Sequence, residues 1–144
     1  MDNLTALLIK HEGMRLFPYR DSVGKLTVGV GRNLNDVGLS QDEAVFLLQN
    51  DIDRVKAELD QALPWWSKLD GVRRDVLIDM GFNLGVLTPP DKAKLLTFKT
   101  TLRLIEEGFY EGAAHQMLRS KWAEQVGARA RELAEMMKTG QYPA

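Results

Sequence analysis

Residues 11–31, HEGMRLFPYRDSVGKLTVGVG, carry the change of pattern that decides the fold of this chain. Up to Glu12 the spacing is helical: Asp2 or Asn3 can cap a helix of about three turns whose apolar residues Leu4, Leu7 and Leu8 share one side, and Gly13 is placed to end it. Beyond Gly13 the residues are aromatic and β-branched, punctuated by the DSVG turn. This predicts a small antiparallel sheet, with Leu26, Val28 and Val30 on one face of a strand.

Outward from that stretch the chain is helical. Ser40 with Glu43 forms a capping box, and Val45, Leu48, Ile52, Val55 and Leu59 recur at helical spacing up to Pro64. A further helix is expected over Leu69–Asn83, with Val72, Val76 and Met80 on one face. A loop at Pro89 and Pro90 follows, and helical segments then continue to Lys138. The fold class is therefore α+β, mostly helical, with a small β lobe set into a helical protein and no internal repeat. Pro64 suits the first position of a short helix, so Trp65 and Trp66 are expected to pack the junction of two lobes and Trp122 to lie in the core. GVGR at 29–32 lacks the Lys and Ser/Thr of a phosphate loop and reads as a strand end that needs close backbone approach.

At 144 residues the chain can bury one compact core, and nineteen basic against twenty acidic residues point to no nucleic-acid partner. Cysteine is absent and the two histidines, His11 and His115, form no recognisable metal motif, so no metal or cofactor is expected. No segment approaches the length of a membrane span, so no membrane insertion is expected, and a monomer is.

The chemistry turns on Glu12. A carboxylate at a helix C-terminus meets the partial negative charge of the macrodipole and costs stability relative to Lys or Gln. That field, with partial burial beside a β lobe, would favour the protonated form that a general acid needs. Asp21, on a turn that stays wet, would remain ionised. Two carboxyl groups held in different states are the equipment for cleaving a glycosidic bond, and the Thr27 hydroxyl can hold a water.

The same segment resembles the active-site segment of the phage-type lysozymes, endolysin muramidases of glycoside hydrolase family twenty-four: Glu-Gly ending the first helix, an Asp nine residues later, a Thr six beyond that, then Gly-x-Gly. LSQDEAVFLLQNDID resembles the start of the family's long connecting helix, LDGVRRDVLIDMGFNLG its central buried helix, and SKWAEQVGARARELAEMMKTG its C-terminal helices. The resemblance implies a lysozyme-like fold in one domain, 1–144, with a β lobe at 13–40, a connecting helix at 41–63, and a helical lobe made of 1–12 and 64–144. It implies hydrolysis of the β-1,4 bond between N-acetylmuramic acid and N-acetylglucosamine in peptidoglycan, by inversion. In those roles Glu12 is the general acid, Asp21 the opposing carboxylate and Thr27 the group that positions water. Asn83 lines the saccharide groove in place of a glutamine, and Arg129 pairs with the acid. Of the other basic residues, Arg73, Arg74, Arg119, Lys121 and Arg131 read as solvated surface charge.

Arg32 stands where the family often has histidine, and the segment from Arg32 to Ser40 is shorter than in its best-known member, so one side of the groove is expected to be trimmed. An Arg32–Asp51 ion pair is expected in place of that member's histidine–aspartate pair, and His11 stands where that member has an aspartate. A lytic transglycosylase would need only one glutamate, and Asp21 and Thr27 at family spacing speak against it; a non-catalytic wall-binding or structural protein of the same fold would be expected to have lost Glu12 or Asp21, and both are present. The resemblance also implies accumulation in the host cytoplasm until release to the cell wall.

Overall fold

The computed structural model describes residues 1–144, which divide into two compact units, 1–48 and 49–144. The chain is 62% helical, with seven α-helices and one three-stranded antiparallel sheet, an α+β lysozyme-like architecture.

Unit 1 opens with α1 (Asn3–Glu12). Asp2 is the N-cap, its Oδ1 accepting from the Thr5 N–H at 2.7 Å, and Gly13 ends the helix at φ +78° with its N–H on the Ile9 carbonyl. The sheet follows as β1 (Arg15–Arg20), β2 (Leu26–Gly29) and β3 (Arg32–Asn33), in the order β1-β2-β3. Tyr19 pairs with Thr27 and Arg20 with Leu26, while the register slips between Arg15 and Tyr19. Pro18 sits inside that slip; it has no N–H to give, which an edge strand tolerates. The expected apolar face of Leu26, Val28 and Val30 is not the covered one. Thr27 is the buried residue of β2, Leu26 and Val28 are half-buried, and Val30 is exposed because the strand ends at Gly29 and Val30 belongs to the turn before β3.

Ser40 caps α2 (Gln41–Ala62) through the expected capping box: the Glu43 N–H donates to Ser40 Oγ, and the Ser40 N–H donates to Glu43 Oε1 at 2.9 Å. Of the five apolar positions predicted to line this helix, only Val55 and Leu59 are buried, Ile52 is half-buried, and Val45 and Leu48 are exposed. The division has a local cause: residues 41–48 belong to unit 1, whose one buried side chain is that of Thr27.

Unit 2 holds the apolar core. After α2 come a short 3-10 turn opened by Pro64, then α3 (Gly71–Leu84), α4 (Lys99–Glu106), α5 (Tyr110–Leu118), α6 (Lys121–Val126) and α7 (Ala128–Thr139). Trp66 is a core residue of this unit, its indole N–H donating to Asp60 at 2.7 Å, and Trp122 is buried as expected. Val76 and Met80 lie on the buried face of α3, as the periodicity indicated, with Leu77 beside them. Arg73 closes the end of α7: it stacks 3.7 Å over the Tyr110 ring, and its Nε and Nη2 donate to the carbonyls of Met137 and Lys138, orphan acceptors at a helix C-terminus. Gly81 is where α3 meets its neighbours most closely. A Cβ there would lie 2.8 Å from Val86 Cγ2 and 3.0 Å from Val55 Cγ1.

Both of those valines are buried and β-branched, so neither can turn away cheaply. Overpacking of this kind costs about 1–3 kcal/mol, whereas replacing Gly by Ala inside a helix returns only about 1 kcal/mol. Gly81→Ala is therefore expected to lower stability by up to about 2 kcal/mol in urea unfolding; a stabilised variant would show that the gap is not tight.

In unit 1, Arg32 bridges Glu43 at 2.6 Å, and with the Ser40 N–H it holds the Glu43 carboxyl at about 2, below its ordinary 4.5. A group depressed in the folded state stabilises the fold above its unfolded value, and that contribution disappears as pH falls through the folded one. Glu43→Gln should flatten the pH dependence of stability between about 4.5 and about 2 and leave it unchanged above that window. Parallel stability curves for the two proteins in acid would refute the linkage.

Candidate functional site

Three of the five singled-out side chains lie in unit 1, on α1 and the β1–β2 hairpin. Glu12 is the last residue of α1, as expected, with Lys10 in the same final turn supplying the positive charge that a helix C-terminus favours. It is exposed, so unit 1 by itself does not provide the partial burial anticipated for it. Its carboxyl leans on the turn between β2 and β3: a Cβ on Gly31 would lie 3.1 Å from Glu12 Oε2.

Asp21 and Thr27 are joined through the backbone of one residue, Lys25. The Lys25 carbonyl accepts both the Asp21 N–H and the Thr27 hydroxyl, each at 2.9 Å. The Lys25 N–H in turn donates to Asp21 Oδ1 at 2.8 Å, and the Val23 N–H donates to the same oxygen at 3.0 Å. Asp21 is thus fixed through Oδ1, which leaves Oδ2 for other work. Thr27, only 3% exposed, has committed its one donor and keeps acceptor lone pairs. No pattern of residue types announces Lys25; the signal available was the hairpin itself, which sets residues 21 and 25 across a tight turn.

Arg32 does not pair with Asp51. Its guanidinium reaches Glu43 and the Gly38 carbonyl, whereas Asp51 pairs with Arg54 at 3.3 Å. The short connection after β3 brings the first turn of α2 back to the sheet, where the capping box already holds the Glu43 carboxylate. Asp51 lies eight residues further on, roughly 12 Å along the helix axis.

In unit 2, Asn83 is exposed near the end of α3, and its Oδ1 accepts from the Trp122 indole N–H at 2.7 Å, leaving the amide NH2 free to donate. Arg129 pairs with Asp79 at 2.7 Å, so within this unit its guanidinium is engaged by a carboxylate that the sequence reading had not singled out. Trp122 also lines a cavity of about 590 Å³ together with Lys94, Lys99, Arg119 and Lys121; no carboxylate lines it. Phe98 stands edge-on to Trp122, with ring centroids 6.1 Å apart. Arg119 and Lys121, read from sequence as solvated charge, therefore face a shared concavity. No three His, Asp or Glu side chains converge to hold a metal ion, and no helix is long and apolar enough to cross a membrane.

The arrangement can support acid–base chemistry: a carboxyl on a helix end, and a second carboxyl tied to a hydroxyl through one peptide unit. The model of the phage lysozyme family matches residues 9–138. Probable T4-type lysozyme 1 of Dictyostelium discoideum is 27% identical over 169 residues, covering 97% of this chain and 96% of the relative. The SAR-endolysin of Escherichia phage Mu is 31% identical over 136 residues, or 88% of this chain and 74% of the relative. An endolysin of Acyrthosiphon pisum secondary endosymbiont phage 1 is 29% identical over 122 residues, with coverage of 82% and 75%. With nine-tenths of its length inside the family match, the chain belongs to the phage lysozyme family.

Proposed function

We propose that this lysozyme-type hydrolase cleaves the β-1,4 bond between N-acetylmuramic acid and N-acetylglucosamine in peptidoglycan, with inversion at the anomeric carbon. Glu12 is the general acid that protonates the leaving oxygen. Asp21 and Thr27 hold the attacking water between them: one water hydrogen points to Thr27 Oγ1, the other to Asp21 Oδ2, and the oxygen lone pair is left for the anomeric carbon. Asp21 takes the proton as that bond forms, so the pair of carboxyls exchange roles in a way that balances the proton lost by Glu12. The single observation that carries this reading is the Lys25 peptide, which fixes Asp21 and Thr27 together and commits the threonine donor elsewhere. A hydroxyl with only acceptor capacity left is suited to receive a water hydrogen.

Asn83 and Arg129 serve saccharide binding in this reading, and the carboxylate-free cavity with its four cations suits the acidic stem peptides of the wall polymer. The enzyme acts after its release from the host cytoplasm to the wall.

Glu12→Gln tests the acid. The change is isosteric and removes an unfavourable charge at a helix end, so the folded protein should be as stable or more so. Reducing-end release from purified peptidoglycan should fall at least ~100-fold. Turnover near the native rate would take Glu12 out of the mechanism, and anhydro-sugar products from the native enzyme would make it a transglycosylase.

Stereochemistry tests the water. Room for a water between the carboxyls corresponds to a separation of roughly 6.5–9.5 Å and an inverted product, whereas direct attack by Asp21 corresponds to about 5–5.5 Å and retention. Proton NMR of freshly released reducing ends, recorded before mutarotation, should show the α anomer first. An initial β anomer would mean that Asp21 attacks the sugar itself.

A further inference from the structure

We propose that Gly31 is a positioning residue for the Glu12 carboxyl: the hydrogen it carries in place of a side chain forms the seat that fixes where the acid's oxygen rests. This rests on the reading of Glu12 as general acid given above. The contact is close and extends along the side chain, since a Cβ at Gly31 would meet Glu12 Oε2 at 3.1 Å, Cδ at 3.6 Å and Cβ at 3.7 Å. An added methyl would therefore push Oε2 aside by a few tenths of an ångström and sit in ordinary van der Waals contact with Cδ and Cβ.

The seat is itself held. Val28 pairs with Arg32 across the β2–β3 turn, and the Arg32 guanidinium is fastened to the Gly38 carbonyl and to Glu43. The peptide next to Gly31 is thus tied on both sides, and a side chain added there would move the mobile partner, which is the exposed glutamate. The cost would fall on the position of the acid rather than on the stability of the unit. Proton transfer is sensitive to such displacement: a misplacement of about 1 Å can cost on the order of 100-fold in rate, so a few tenths of an ångström corresponds to roughly 5- to 10-fold.

Backbone strain is the competing account, because Gly31 has φ +69°, where L-residues other than glycine are disfavoured. The molecule contains its own control. Gly29, two residues away, has φ +71°, and a Cβ built on it meets nothing within 4 Å. Gly29→Ala and Gly31→Ala therefore impose the same kind of strain, but only the second crowds Glu12.

The test measures melting temperature, kcat, KM and the pH profile of peptidoglycan hydrolysis for both variants. The two should lose similar stability. Gly31→Ala should lose roughly 5- to 10-fold in kcat with KM unchanged, and the limb of its pH profile that reports the acid should move; Gly29→Ala should stay within about threefold of native in kcat and KM. Equal losses in the two variants would reduce the effect to strain and overturn the proposal, as would native kcat in Gly31→Ala. If Gly31→Ala does not fold, Gly31→Asn places the same Cβ on a residue that accepts positive φ more readily, and it is judged by the same criteria. Glu12→Gln separates the two levels of the argument: if that variant is active, the acid assignment falls, whereas an inactive Glu12→Gln beside a fully active Gly31→Ala defeats the positioning role alone.

Discussion

The carbonyl oxygen of Lys25 receives two hydrogen bonds, one from the peptide N–H of Asp21 and one from the hydroxyl of Thr27, and the N–H of the same residue closes a ring back to Asp21 Oδ1. Much of unit 1 can be understood from that ring. It sets the hairpin turn, it fixes the carboxylate, and it orients the threonine on the one strand position that is buried. Because Lys25 takes part only through its peptide N–H and carbonyl, side-chain substitution there leaves the ring in place. The chemistry is then carried by the two side chains it joins.

Unit 1 is a polar construction throughout. Its ends and turns are tied by side chains bonding to backbone: Asp2 to Thr5, Asn35 to Leu26, Asn33 to Asp36, Arg32 to Gly38, and Ser40 with Glu43. Each such bond contributes about 1 kcal/mol net, somewhat more where a charged group takes part. Unit 2 relies on burial instead, with Leu59, Leu77, Met80, Leu95, Ile105 and Met117 withdrawn from water and Gly81 allowing the close approach. The two units therefore respond to different conditions. Acid removes charge-assisted bonds such as Arg32–Glu43, whereas large-to-small changes in apolar side chains act on the second unit.

Features set by local chemistry were legible in the sequence. Asp2 and Gly13 bound the first helix because capping requires only neighbours, and the Ser40–Glu43 box follows from a three-residue spacing. Glu12, Asp21 and Thr27 were singled out from one contiguous segment, and the structure places them on α1 and the β1–β2 hairpin of unit 1. The sequence did not reveal which face of β2 is covered, since alternation separates two faces without saying which one meets the rest of the fold; Thr27 took the place expected for Leu26 and Val28. Nor did it reveal pairings across long separations. Trp122 finds Asn83 over 39 residues and Arg129 finds Asp79 over 50, and neither follows from helical periodicity. The Arg32 partner was misread for a geometric reason: the path of the short connection decides between two carboxylates eight residues apart on one helix.

The two candidate carboxyls are held by different kinds of force, and the difference matches their proposed tasks. Asp21 accepts two backbone N–H bonds on Oδ1, which fix the orientation of its carboxyl and leave Oδ2 open toward a water. A residue that must take a proton from water benefits from being held that way. A residue that must deliver a proton does not, because every donor that locates it also opposes the state in which it works. Glu12 meets Gly31 instead, a neighbour with no side chain and hence no side-chain donor, which constrains the carboxyl by shape alone. Contact by shape leaves the carboxyl oxygens open to a substrate, so the acid can be placed without a hydrogen bond that must first be broken.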